Sequence, residues 1–79
     1  MNNDDSNLVK IGKSIKKQRM LQRMSQEELA HRASVGLSYY GRLERGQQNM
    51  SVECLIRISL ALQIEPCELI PKLQDLIYE

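Results

Sequence analysis

The 79-residue chain has no phenylalanine and no tryptophan, and Tyr39, Tyr40 and Tyr78 are its only aromatic residues. Its core must be built from Leu, Ile, Val, Ala and Met. It holds two cysteines, Cys54 and Cys67, and one histidine, His31. The cysteines have neither metal-ligand nor redox spacing, so both are expected to act as small apolar residues. A lone His31 without clustered cysteines or acids gives no metal site and no triad, and is expected on a helix surface. There is no nucleophile–base pair, glycine-rich phosphate loop or cofactor motif. An enzyme, a cofactor and a small-molecule ligand are therefore not expected. No apolar run approaches the roughly 18 residues of a membrane span, and no signal-peptide pattern opens the chain. A cytoplasmic protein without membrane contact is the expectation.

What is present is enough for one domain over 1–79, with 42% hydrophobic residues. So small a core supplies only about 3–5 kcal/mol, which favours a partner subunit. The net charge of +1 hides an asymmetry. Residues 10–46 carry nine bases (Lys10, Lys13, Lys16, Lys17, Arg19, Arg23, Arg32, Arg42, Arg45) against Glu27, Glu28 and Glu44, a balance of +6. The rest carries Arg57 and Lys72 against seven acids, a balance of −5. A basic half joined to an acidic half is what a protein needs when one face meets a polyanion.

The hydrophobic spacing predicts five helices and no strand. Residues 1–6 are polar and are expected to form a disordered arm. Ser6 or Asn7 can cap a first helix running to about Gln22, with Leu8, Ile11, Ile15 and Arg19 along one face. Ser25 and Glu28 form an S-x-x-E capping box for a short second helix, with Leu29, Ala30 and Ala33 inward. After the turn Ser34-Val35-Gly36, a third helix spans about Leu37 to Arg45 and closes on Gly46 in a left-handed conformation. Ser51 caps a fourth, whose inner face is Val52, Leu55, Ile58 or Ser59, and Leu62. The last segment, 66–78, carries Leu69, Ile70, Leu73, Leu76 and Ile77. Pro71 must interrupt or kink it. Its surplus of apolar residues, at i, i+4 and i+7, is the expected homodimer interface.

Two short helices across a tight turn, 25–45, have the geometry of a helix-turn-helix. The run Ser25-Gln26-Glu27-Glu28-Leu29-Ala30 followed by Ser38-Tyr39-Tyr40-Gly41-Arg42-Leu43-Glu44-Arg45-Gly46 resembles the phage-repressor-type (Cro/cI, or Xre) helix-turn-helix family. Ile11-Gly12, Arg19 and the Ser51-to-Leu62 helix match in order and spacing. Within that family, the Asn49-Met50-Ser51-Val52 junction and the acidic C-terminal segment look most like restriction–modification controller proteins. Short phage and plasmid repressors share these features.

The resemblance implies that the third helix enters a DNA major groove. Leu37, Ser38, Tyr39 and Arg42 would then face bases, Arg42 donating two hydrogen bonds to a guanine. Phosphates would be met by Ser25, Gln26, Gly36, Arg45, Gln47, Gln48 and Asn49. Arg19 and Glu44 fall where the family has a partly buried ion pair, a structural role. Arg23 stands where the family has Gly at the end of the first helix, so that turn must be built otherwise or accept strain. Gln18 replaces an apolar residue, and Gly36 replaces a Ser or Thr cap. The function so implied is a transcription regulator that binds a palindromic operator as a homodimer, with RNA polymerase as a possible further partner. An antitoxin-like protein-interaction module on the same scaffold is the alternative.

Overall fold

The computed structural model describes residues 6–76; expectations for the first five residues, and for Ile77 and Tyr78, lie outside the described residues. The described residues form four α-helices: α1 (Asn7–Leu21), α2 (Gln26–Arg32), α3 (Leu37–Glu44) and α4 (Val52–Leu62). Among the described residues there is no β-strand, and no helix is long and apolar enough to cross a membrane.

Three helices start as their sequences dictate. Ser6 Oγ accepts from the Val9 N–H at 3.1 Å, Ser25 Oγ from Glu28 at 3.0 Å and Ser51 Oγ from Cys54 at 3.0 Å. Each bond satisfies a backbone donor that the first helical turn leaves without a partner. Gly36, the N-cap of α3, makes no side-chain bond.

All four helices stop the same way. A residue in the left-handed region follows the last turn, and the next N–H reaches back to a carbonyl five residues earlier. The bonds are Met24 to Arg19 at 3.1 Å, Val35 to Ala30 at 3.0 Å, Gln47 to Arg42 at 2.9 Å and Ile64 to Ser59 at 3.1 Å. The left-handed residues are Arg23 (φ 58°), Ser34 (57°), Gly46 (71°) and Gln63 (58°). Only Gly46 adopts that conformation without a Cβ penalty. The family-atypical Arg23 thus builds the same turn as a glycine would, under strain. Replacing Arg23 by Gly is expected to raise stability by about 0.5–1 kcal/mol, the relief of a left-handed side chain less the added freedom of the unfolded chain. A urea melt checks it; an unchanged or lower midpoint would show that the turn carries no strain.

The core gathers Ile15, Met24, Leu29, Ala30, Ala33, Tyr40, Leu43, Cys54, Ile58, Leu62 and Leu69. α3 is held between α1 and α2, and α2 also packs on α4. Ile15 faces the core fully, while Leu8 and Ile11 lie half-buried at its edge. On α4 the inner face is Cys54, Ile58, Ser59 and Leu62, with Leu55 half-buried. Val52 is a correction: it is exposed, because Cys54, not Val52, shares the side of Ile58.

The fifth helix is the larger correction. In its place stand two 3₁₀ turns, Pro66–Glu68 and Leu73–Asp75. Pro71 supplies no N–H and disfavours helical backbone at Ile70, so no α-helix can run through the segment. The expected apolar stripe therefore does not form. Leu69 is fully buried in the subunit's own core, Ile70 and Leu73 are exposed, and Leu76 is half-buried. The segment folds back on α1, where Lys10 Nζ donates to the carbonyl of Asp75.

Candidate nucleic-acid interface

Helix α3 has only eight residues, too few to be stable alone. Its position comes from its buried side: Tyr40, Gly41, Leu43 and Glu44. Glu44 is the centre of that side. Arg19 grips its carboxylate in a fork, Nε to Oε2 at 2.7 Å and Nη2 to Oε1 at 3.2 Å, and Arg19 Nη1 donates to the Met24 carbonyl at 2.7 Å. Gln26 Nε2 donates to Oε1 at 2.9 Å, and the Tyr40 hydroxyl donates to Oε2. One carboxylate thus joins α1, the start of α2 and α3.

The pair is buried, with side-chain exposures of 11% for Arg19 and 3% for Glu44. Burial alone would push the Glu44 pKa up. The hydrogen bonds from Arg19, Tyr40 and Gln26 outweigh it and hold the carboxyl below its ordinary value. Burial, helped by the bond to Glu44, drives the Tyr40 hydroxyl far above the usual tyrosine range. The bond to Glu44 raises Arg19. All three therefore keep one protonation state near neutral pH.

Close packing does the rest. A Cβ on Gly12 would lie 2.5 Å from the carbonyl oxygens of Leu43 and Glu44, so α1 touches the end of α3 backbone to backbone. A Cβ on Gly46 would meet Val9 at 2.5 Å. The Gln22 side chain donates to the Leu62 carbonyl at 2.7 Å, closing the end of α4.

The opposite side of α3 is open. Ser38 and Arg42, one turn apart, are exposed together, and Leu37 stands 48% exposed at the helix start. Among the described residues Arg42 has no acidic partner; its Nε donates to Gln48 Oε1 at 3.2 Å. Tyr39 is half-buried, packs on the core and donates its hydroxyl to the Asn49 carbonyl at 3.1 Å. Arg45 Nε donates to Gln47 Oε1 at 2.9 Å. The loop of Gln47, Gln48 and Asn49 is thus tied to α3 by Tyr39, Arg42 and Arg45. Around Gly36 there is nothing within 4 Å of an added Cβ, and Ser25 is exposed at the start of α2. Ser38 and Arg42 share one exposed side of α3, and the loop that follows is bonded to that helix through Tyr39, Arg42 and Arg45.

Sequence reasoning missed three parts of this support. Tyr40 is four residues from Glu44, a spacing that could have signalled the bond. Gln22 and the contact surface of Gly12 left no such local signal. His31 and Cys67 are exposed and Cys54 is buried; among the described residues no three metal-capable side chains cluster.

The chain belongs to the helix-turn-helix family, whose model matches residues 15–69. Among solved structures it is similar to the restriction–modification controller protein C.AhdI from Aeromonas hydrophila, at 41% identity over 80% of this chain and 96% of that one, TM-score 0.78. The wild-type controller protein C.Esp1396I matches at 29% identity over 78% and 82%, TM-score 0.73. The N-terminal DNA-binding domain of SinR from Bacillus subtilis matches at 34% identity over 80% and 93%, TM-score 0.74. No curated protein gives a significant match.

Proposed function

We propose that this chain is a sequence-specific DNA-binding transcription regulator of the restriction–modification controller type, acting as a homodimer on a palindromic operator. The observation that carries the reading is α3: its buried side is locked by Glu44, while Ser38 and Arg42 lie exposed on the other, Arg42 held by Gln48 alone. An exposed arginine on a braced helix, bonded only to a neutral Gln48 among the described residues, is suited to donate in pairs to guanine O6 and N7. Leu37 and Tyr39 flank it with apolar surface for a thymine methyl. Ser25, Gln26, Gly36 and the Arg45–Asn49 loop are placed to meet phosphates on either side, with the second amide N–H of Gln26 left to donate. The lysines of α1 add long-range attraction rather than sequence readout. The controller and regulator relatives support the same assignment. RNA polymerase is the further partner that such a regulator would engage.

The test begins with a site selected from a random-sequence duplex pool. Wild type should enrich one inverted repeat, and binding should weaken steeply with salt. Arg42→Ala should lose about 1–3 kcal/mol on that site and little on random DNA. Equal losses on both would make Arg42 a phosphate contact. Failure to enrich any site, with no salt-dependent shift, would favour a protein-interaction module.

A further inference from the structure

Arg42 is exposed but not loose, because its Nε donates to Gln48 Oε1 at 3.2 Å, beyond the end of α3. A guanidinium has two donor edges, one through Nε and one through the two terminal nitrogens. Gln48 occupies the first. The second is left to meet an acceptor pair such as guanine O6 and N7. Gln48 is itself held: it is half-buried, while Gln47 and Asn49 on either side are exposed. The Gln47 N–H donates to the Arg42 carbonyl at 2.9 Å, and the Tyr39 hydroxyl donates to the Asn49 carbonyl at 3.1 Å. The backbone is thus fastened to α3 immediately before and immediately after Gln48.

The chemistry of the pair fixes its orientation. A guanidinium only donates, so Gln48 must turn its amide oxygen to Arg42. Its amide nitrogen then faces away, with both N–H donors left for the phosphate contact assigned above. A neutral acceptor also suits the task, since it orients Arg42 without cancelling the charge that draws it to DNA, as a carboxylate would. In water such an exposed bond contributes little. In a groove emptied of water it strengthens, so its effect falls on recognition rather than on the stability of the fold.

We propose that Gln48 is the positioning residue for Arg42: it sets which edge of the guanidinium meets the base pair, and so how strictly guanine is required there. The assignment rests on the base-reading role of Arg42 proposed above. Binding of the full chain to its selected site, and to duplexes varied at each base pair of one half-site, tests it. Gln48→Ala should lower the preference for guanine at the Arg42-dependent pair at least about fivefold. In the Arg42→Ala background the same change should leave that preference where it was. Gln48→Glu keeps an acceptor for Nε and loses the amide donors. It should retain the preference while weakening binding to every duplex alike, by repulsion from the phosphates. Equal weakening on all duplexes by Gln48→Ala would make Gln48 a phosphate contact alone and overturn the proposal. So would a changed preference at a different pair, which would make Gln48 a base reader in its own right, or loss of the preference in Gln48→Glu. Failure of the selection, or an Arg42→Ala variant that keeps every base preference, removes the reading of Arg42 and this proposal together.

Discussion

Replacing Glu44 by Ala lowers the stability of the folded chain by about 3–5 kcal/mol, the loss expected when one partner of a buried ion pair is removed. The guanidinium of Arg19 stays in place, 11% exposed, with only the Met24 carbonyl left to accept from it. Tyr40 and Gln26 lose their acceptor at the same time. A chain of this length has about 4–12 kcal/mol in all, so the variant sits close to unfolding. Arg19→Ala should cost a comparable amount, and the double variant clearly less than the sum, since the two remove one network. Urea melts of the three variants measure this. Additive losses of a few tenths of a kcal/mol would mean that the carboxylate is no more than a surface group. The pH profile follows from the same contacts. The Glu44 pKa is depressed in the fold, so its contribution is complete above the ordinary carboxylate range and is lost as pH falls through the depressed value. The Tyr40 pKa is raised, so its contribution holds below about pH 10, the pKa of an unfolded tyrosine, and declines above it.

Gly12→Ala is the second large effect, and it works without any charge. The added methyl would sit 2.5 Å from two backbone carbonyl oxygens at the end of α3, which cannot rotate away as a side chain can. Helix α1 must then move off α3, at a cost of about 1–3 kcal/mol or more, even though alanine is the better helix former. Gly41→Ala is the internal comparison. Its methyl would meet only the Arg45 Nη1 at 3.3 Å, the free end of a flexible side chain. That variant should be neutral or gain up to about 1 kcal/mol from helix propensity. Equal stabilities for the two alanine variants would show that α1 and α3 are not in backbone contact.

Local chemistry made most of the fold legible in the sequence. Serines at Ser25 and Ser51, glycine at Gly46 and the inward Ile15, Leu29, Ala30 and Ala33 act within one helical turn, and these appear as expected. That Arg19 needs a buried partner was legible because a charge on an apolar stripe must have one; Glu44 as that partner was implied by the family resemblance. The last helix was misread because the spacing of Leu69, Leu73 and Leu76 fits a helix while Pro71 forbids one. There the backbone constraint outweighs the periodicity, and Leu69 alone reaches the core. Val52 misled for a related reason: either side of α4 is apolar enough to be an inner face, and only tertiary packing selects Cys54 over it. Gly12 was legible as a position in a motif but not as a contact, since its neighbours Leu43 and Glu44 lie more than thirty residues away. The residues proposed to face DNA could be named only through the family resemblance. Their mutual bonds, Tyr39 to Asn49 and Arg42 to Gln48, depend on how the loop closes.

The convergence of Arg19, Gln26 and Tyr40 on one carboxylate also bears on dosage. Because α3 has too few residues to persist alone and is fastened to two other helices at a single atom group, it has no partly melted form that keeps its shape. Reading ability and foldedness are then the same variable. The number of competent α3 helices then equals the number of intact molecules.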